Sequence, residues 1–296
     1  MSESGFSPAI DLRLRSSTFT ATSRVVMAVI NRTPDSFFDR GSTFAHSAAI
    51  DAVADAVDAG AAMVDIGGVK AGPGATVDIE EELNRTVDFV AEIREKHPQL
   101  IISVDTWRHE VGEAVCRAGA DLLNDAWGGY DHELAHVAAQ YDVGLVCTHT
   151  GGAIPRTRPH RVQYDDVVGA VADFLHGEAQ RAEDAGVRRE RIVIDPGHDF
   201  GKNTRHSLAV TQHLDRLVSS GRPVLVSLSN KDFVGETLEV PLDDRLTGTL
   251  GATAISAWLG ARIFRAHQVE PTVHLLTMVR ALAGLQEPVV ARRGLA

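Results

Sequence analysis

Eight short apolar runs punctuate the chain, and each closes on a polar or charged residue. They are VVMAVI before Asn31, AAMV before Asp65, LIISV before Asp105, ADLL before Asn124-Asp125, VGLVCT before His149, RIVI before Asp195, PVLVSLSN before Lys231 and ARIFRA before His267. Short runs rich in Val, Ile and Leu read as buried strands. The clearest lies in RIVIDPGHDFGK, where Ile192, Val193 and Ile194 stop at Asp195 and Pro196-Gly197 turns the chain into a loop. Segments with helical spacing separate the runs, and several end on glycine, at Gly60, Gly119, Gly186, Gly221 and Gly260. A glycine there tolerates the left-handed cap conformation and marks a helix C-terminus. Repeated β-then-α units with right-handed crossovers predict an α/β chain folded as a (β/α)8 TIM barrel. An open doubly wound sheet is the alternative, but its GxGxxG after the first strand is missing. Barrel chemistry sits where strands end, which is where these polar residues fall.

The spacing predicts helices over about 46–59, 79–96, 109–117, 131–140, 164–185, 206–219, 245–259 and 271–285. Long polar or Gly-rich loops over 32–44, 67–78 and 150–161 lie on the strand-end rim, and loops of that length are usually functional. Residues 231–244 read as irregular, residues 1–24 as a flexible N-terminal tail, and 25–296 as a single barrel domain.

Composition changes the picture in three places. The balance of 29 basic against 40 acidic residues, a formal net charge of −11, argues against nucleic-acid binding while leaving room for a local basic pocket. Cys116 and Cys147 fit no metal spacing and read as buried thiols in a reducing compartment. No apolar run approaches the roughly 20 residues of a membrane span, and the N-terminus lacks a signal-peptide core, so the expectation is a cytoplasmic protein without a membrane partner.

Taken in register, the strand ends carry NRTPDSFFDRG at Asn31–Gly41, DIGGVKAGPGA at Asp65–Ala75, SVDT at Ser103–Thr106 and NDAWG at Asn124–Gly128. Thr148-His149, DPGHDFGK at Asp195–Lys202, SNKDF at Ser229–Phe233 and RAHQ at Arg265–Gln268 follow. This ordered series resembles the dihydropteroate synthase family of the folate pathway, whose motifs read close to NVTPDSFSDGG, DIGGESTRPGA, SIDT, NDVSG, MH, DPGIGFGK, SRKSF and RVHD. Any one of these residues alone could be a helix cap or a turn former. The resemblance implies condensation of a dihydropterin methyl pyrophosphate with p-aminobenzoate, assisted by Mg2+. It assigns Asp105, Asn124, Asp195 and Lys231 to the pterin, Asp35 and Lys231 to catalysis, Asn31 to the metal, and Arg265 and His267 to phosphate oxygens. It further implies a pterin-type ligand, with p-aminobenzoate or a sulfonamide-like molecule beside it, and a homodimer formed through the later helices.

The departures gather around the leaving group. Where the family carries Ser-Thr-Arg-Pro, this chain has Lys70, Ala71, Gly72 and Pro73; the Arg of Ser-Arg-Lys is Asn230, and a family Gly is Asp199. Two cations lost and one carboxylate gained act against a charged diphosphate, since each charge-assisted hydrogen bond is worth roughly 1.5–3 kcal/mol. Lys70 is a point charge without the bidentate fork of Arg. The expectation is a diverged paralogue that keeps a pterin pocket and performs the condensation weakly or not at all. An active synthase is the alternative, and a pterin-binding methyltransferase barrel fits the intact motifs less well.

Overall fold

The computed structural model describes residues 9–33, 46–72, 74–157 and 162–294. Eight parallel strands form the sheet: β1 (Val25–Asn31), β2 (Met63–Gly67), β3 (Ile101–Asp105), β4 (Leu122–Asp125), β5 (Gly144–Thr148), β6 (Ile192–Asp195), β7 (Leu225–Val226) and β8 (Ile263–Ala266). Neighbours in sequence pair from β1 to β6, and β8 pairs with both β1 and β7. A bridge from Ile194 to Val224 joins β6 to the start of β7 and closes the ring. The longer helices between the strands are α1 (His46–Asp58), α2 (Ile79–Lys96), α3 (His109–Ala118), α4 (Glu133–Gln140), α5 (Val167–Asp184), α6 (Thr204–Gln212), α7 (Leu246–Trp258) and α8 (Val269–Leu282), with a short turn of helix at Asp215–Val218 where the sequence spacing extends α6. The barrel is the one the alternating pattern predicts. The seventh strand is shorter than expected, because the chain leaves the sheet soon after Val226.

Alternation along each strand divides the core. Outward residues such as Val64, Ile102, Leu123, Cys147 and Phe264 pack beneath the helices. Inward residues Met27, Met63, Ile101, Leu122, Val146, Val193, Leu225 and Ile263 fill the lower barrel.

The floor holds the first correction. Far from being a loose tail, Leu12–Leu14 and Ser17–Phe19 pair as an antiparallel hairpin. Leu12 and Leu14 are fully buried in the inner apolar cluster. A Cβ on Gly144 would come within 2.5 Å of the Leu14 side chain, so the glycine makes room for the plug. Arg262 ties the hairpin down by donating to the Ile10 carbonyl. Two leucines at alternate positions are too short a pattern to read as a strand when their partners lie far along the chain. Residues 1–8 lie outside the described residues. Leu14→Ala should therefore cost about 2–5 kcal/mol of stability in a denaturant melt, the usual range for a buried leucine, and leave ligand binding at the opposite end unchanged.

A second correction concerns 231–244, expected to be irregular. Asp232–Leu238 is a helix and Leu242–Asp244 a 3-10 turn. The residue before the helix is Lys231, which offers no cap. Instead Asp199, in the loop after β6, accepts from the Asp232 N–H at 2.6 Å and the Phe233 N–H at 3.4 Å. That cap comes from a residue over thirty positions away and leaves no local signature.

Candidate functional site

The inner layers change character toward the strand ends. One side-chain step above the apolar layer stand Asp65, Ser103, Asn124, Thr148, Asp195 and Arg265, and above them Asn31, Gly67 and Asp105 are aligned across β1, β2 and β3. Arg265 lies at the centre. Its Nε donates to Asp65 Oδ2 at 2.6 Å, and an Nη reaches Asp105 Oδ2 at 3.4 Å. Asp65 is fully buried and also accepts from Ser103 Oγ at 2.5 Å and Asn124 Nδ2 at 3.1 Å. Asp195, opposite, accepts from the Gly197 N–H at 2.7 Å and faces Lys231, Lys202 and Arg265.

Burial dominates the protonation of this set. It pushes Asp105 up to about 7, aided by the Asp65 carboxylate and opposed by Arg265. It raises Asp195 to about 6, against the Gly197 N–H and Lys231. Burial alone would lower Arg265, but Asp65 and Asp105 outweigh it and keep the guanidinium above its ordinary range. Lys231 is held below the usual lysine value by burial, with Asp199 the strongest opposing charge. His267 is pressed to about 3 by burial and by Arg265, so its imidazole is neutral; its Nδ1 lies 3.0 Å from Ser229 Oγ.

Of the residues singled out from sequence, Asp105, Asn124, Asp195, Lys231, Arg265 and His267 lie at this one mouth. The Asn31 carboxamide oxygen is 3.9 Å from where a Cβ on Gly67 would stand, beside Asp105. Asp35 lies outside the described residues. Asp65 was legible only as a strand end, although its spacing from Met63 already places it inside. His149 is structural: its Nδ1 accepts from the Lys202 ammonium at 2.7 Å, while Lys202 also donates to the Gly197 and Phe200 carbonyls. His198 is fully buried, stacked on Phe233 and 2.9 Å from Thr211 Oγ1. Thr148 stands where the family pattern has methionine, and its buried hydroxyl has no hydrogen-bond partner.

The departures can now be placed. Asn230 is fully buried in the left-handed region at φ 59, and its carbonyl accepts from Arg245. Arg32 does not replace the lost cations, because its guanidinium lies 4.9 Å over Phe89 on the helix side of the sheet. Asp199, at φ 66, serves as the cap described above. Lys70 runs across its own loop, with Cε 3.8 Å from where a Cβ on Gly72 would begin.

Above the charged set, successive strand-end loops supply one apolar cluster: Val69, Trp107, Ala126, Trp127 and Ala153, with Ala71, Val77 and Phe200 half-buried against it. Trp127 meets Trp107 and Phe200 edge-on, at 6.2 and 5.5 Å between ring centres. The Lys231 ammonium sits 4.6 Å from the Phe200 ring centre, where charge gives way to this roof. The loop after β2 is tied down by Arg85 donating to the Gly68 carbonyl, Arg108 to Val77 and Arg156 to Ala75. Arg108 is itself anchored at 2.5 Å by Glu82, a buried carboxylate.

Residues 27–267 match the family described as pterin binding enzyme. The inactive dihydropteroate synthase 2 of Mycobacterium tuberculosis is 54% identical over 276 residues, covering 92% of this chain and 87% of that protein. The dihydropteroate synthase of Escherichia coli is 35% identical over 266 residues, covering 88% and 93%. The crystal structure of Yersinia pestis dihydropteroate synthase with a sulfonamide drug superposes with a TM-score of 0.88 at 31% identity, over 94% of this chain and 100% of that one.

Proposed function

Because the chain belongs to the dihydropteroate synthase family of pterin-binding enzymes, as a diverged paralogue, we propose that it keeps the pterin site and has lost most of the condensation. One observation carries this reading. Asp65, Asp105, Asn124 and Asp195 gather around Arg265 as the family motifs imply, while Gly72 and the buried Asn230 stand where the family pattern carries arginines. A pterin ring needs buried acceptors and donors of complementary polarity, which this set supplies. A diphosphate needs positive charge, and two arginines of the family pattern are absent here, at Gly72 and Asn230. The close relative that is named inactive fits the same interpretation.

A magnesium ion is part of the proposal in a reduced form. Asn31 offers one neutral oxygen, which suits a cation that takes most of its ligands from substrate phosphate and water. Asp65 is already committed to Ser103, Asn124 and Arg265. Among the described residues, the three-residue acidic and histidine cluster, His109, Glu110 and Asp131, lies on the loops and helix after β3 and β4, away from Asn31. When bound, the ion would neutralise phosphate charge; without the diphosphate there is little to hold it.

Two further parts of the reading rest on lesser support. Ile255 and Trp258 on α7 and Met278 and Leu282 on α8 are 53%, 62%, 58% and 66% exposed on adjacent helices, a surface suited to a homodimer. Cytoplasmic residence goes with a folate-pathway ancestry and with the two free, buried cysteines.

The test is turnover. Mixing the chain with dihydropterin methyl pyrophosphate and p-aminobenzoate should release little pyrophosphate, while calorimetry with the pterin alone shows binding. Efficient turnover would establish the alternative, an active synthase. Gly72→Arg should raise affinity for the diphosphate ester about tenfold, the effect of one charge-assisted contact. Gly72 has ordinary backbone geometry, unlike the buried left-handed Asn230, so the arginine enters without strain.

A further inference from the structure

On the helix side of the sheet, behind the pterin mouth, a cavity of about 340 Å3 opens between α4 and α5. Its floor is apolar, made by the buried side chains of Leu134 on α4, Leu145 and Cys147 on β5, and Ala182 on α5. Its polar lining is mostly acidic: Asp125, Asp131, Glu178 and Asp184 share it with a single arginine, Arg181. The exposed His132 and His136, one turn apart on α4, complete the rim. We infer that this cavity is a second binding site, for a small organic cation with a short alkyl body, such as a primary alkyl amine. The assignment stands apart from the pterin reading, because the two sites lie on opposite faces of β4. Asn124 turns inward to Asp65, and alternation along the strand therefore turns Asp125 outward into the cavity.

Asp125 is the main reason for a cation. It is 5% exposed, and its two oxygens accept from the Trp127 N–H at 2.9 Å and the Gly129 N–H at 2.7 Å. Among the described residues no lysine or arginine forms an ion pair with it, and burial lifts it to about 6. Buried carboxylates are ordinarily paired, and the cavity is the side from which a cation reaches this one. Glu178 gives Oε1 to Arg181, while Oε2 turns to the loop after β4, 2.6 Å from where a Cβ on Gly129 would stand. Asp184 accepts from a neutral partner, the Gln180 amide, at 2.9 Å. Asp131 is already committed to His109 at 2.8 Å. Three carboxylates thus face one arginine. A metal ion fits the lining poorly. The group of described side chains close enough to share one is His109, Glu110 and Asp131, of which the cavity includes Asp131 alone. An ion would also leave the apolar floor uncovered. An alkyl amine covers it with its chain while the ammonium meets Asp125 and Glu178, the usual division of labour in a small-ligand pocket.

The experiment is calorimetry on the full chain at neutral pH, with n-pentylamine, n-pentanol and pentanoate as probes of one size and three charges. The amine should bind about tenfold tighter than the alcohol, the effect of one charge-assisted contact, and pentanoate weakest of the three. Ethylamine should lose at least about tenfold against pentylamine, because less of the floor is covered. Ala135 lines the cavity from a half-buried position on α4, so Ala135→Leu fills it from the solvent side. That variant should bind no amine while melting within about 2 °C of the wild type. Glu178→Gln keeps the shape and removes one charge, and should bring the amine down to the affinity of the alcohol. Equal binding of amine and alcohol by the wild type would overturn the inference. Undiminished amine binding by Ala135→Leu would do so too, by placing the amine elsewhere on the acidic surface. Absence of amine binding would be equally decisive against it.

Discussion

Arg265→Met is expected to destabilise the folded chain by about 3–5 kcal/mol, the range for removing one partner of a buried ion pair. The reason lies in what the guanidinium holds. Asp65 has no solvent exposure, and its only cationic hydrogen-bond partner among the described residues is Arg265 Nε at 2.6 Å. Ser103 and Asn124 still donate to it in the variant, but both are neutral. Asp105 loses its nearest opposite charge at the same time. Methionine restores the bulk of the side-chain stem, so the loss is electrostatic rather than a cavity. In a chain of this size the melting temperature should fall by roughly 10 °C. Adding Asp65→Asn should recover part of that loss, because the stranded charge is removed with its partner. A fall of under about 2 °C in the single variant would mean that Asp65 does not depend on Arg265. Binding of any pterin should weaken in parallel, since Asn124 is positioned by the same carboxylate.

How far the chain announces this arrangement differs from residue to residue. The barrel was legible because each strand is a local pattern with its own stop, and because the parity of Met63 and Asp65, or of Ile101, Ser103 and Asp105, fixes which side chains point inward. The convergence of Asp105, Asn124 and Asp195 follows from that parity once the ring closes. What the pattern could not show depends on partners remote in sequence. Leu12 and Leu14 matter only because a barrel floor lies above them. Asp199 looked like an intruding charge, yet it caps a helix that begins at Asp232. His198 follows a Pro-Gly turn and is buried only because the fold brings Phe233 and Thr211 around it. The apolar roof leaves no continuous pattern, since its members are single residues scattered over loops whose meeting is a consequence of the fold. The loss of cations was visible at Gly72 and Asn230. That Arg265 is shared between Asp65 and Asp105 was not.

Asp105 should show the opposite balance from Arg265: its removal weakens function and strengthens the fold. Asp65 already neutralises Arg265 at the shorter distance, so Asp105 is the surplus carboxylate of the group. Burial and Asp65 raise it from an ordinary 3.8 to about 7. The folded state therefore holds this proton more tightly than the unfolded chain does. Its contribution to stability is complete below pH 4 and is lost as pH rises toward 7. Asp195 and Asp125, each raised to about 6 by burial, act with the same sign. His149, His198 and His267, each pressed to about 3 by burial, pull the other way between pH 5 and pH 8, so the Asp105 contribution is read as the difference between variant and wild type at each pH. In Asp105→Asn the side chain is neutral at both, so the variant should gain on the wild type as pH rises from 5 to 8, by about 1–3 kcal/mol at pH 8. The amide still fills the space at the end of β3. For a pterin the change runs the other way, because a carboxylate that accepts from ring N–H groups is replaced by a group that presents a donor in part. That loss should be about 100-fold in affinity at pH 8, the effect of one charged hydrogen bond plus a mismatched partner. The two readouts must diverge. A variant that binds pterin normally, or that melts no higher than wild type at pH 8, would show that Asp105 is neither the ring acceptor nor a strained charge.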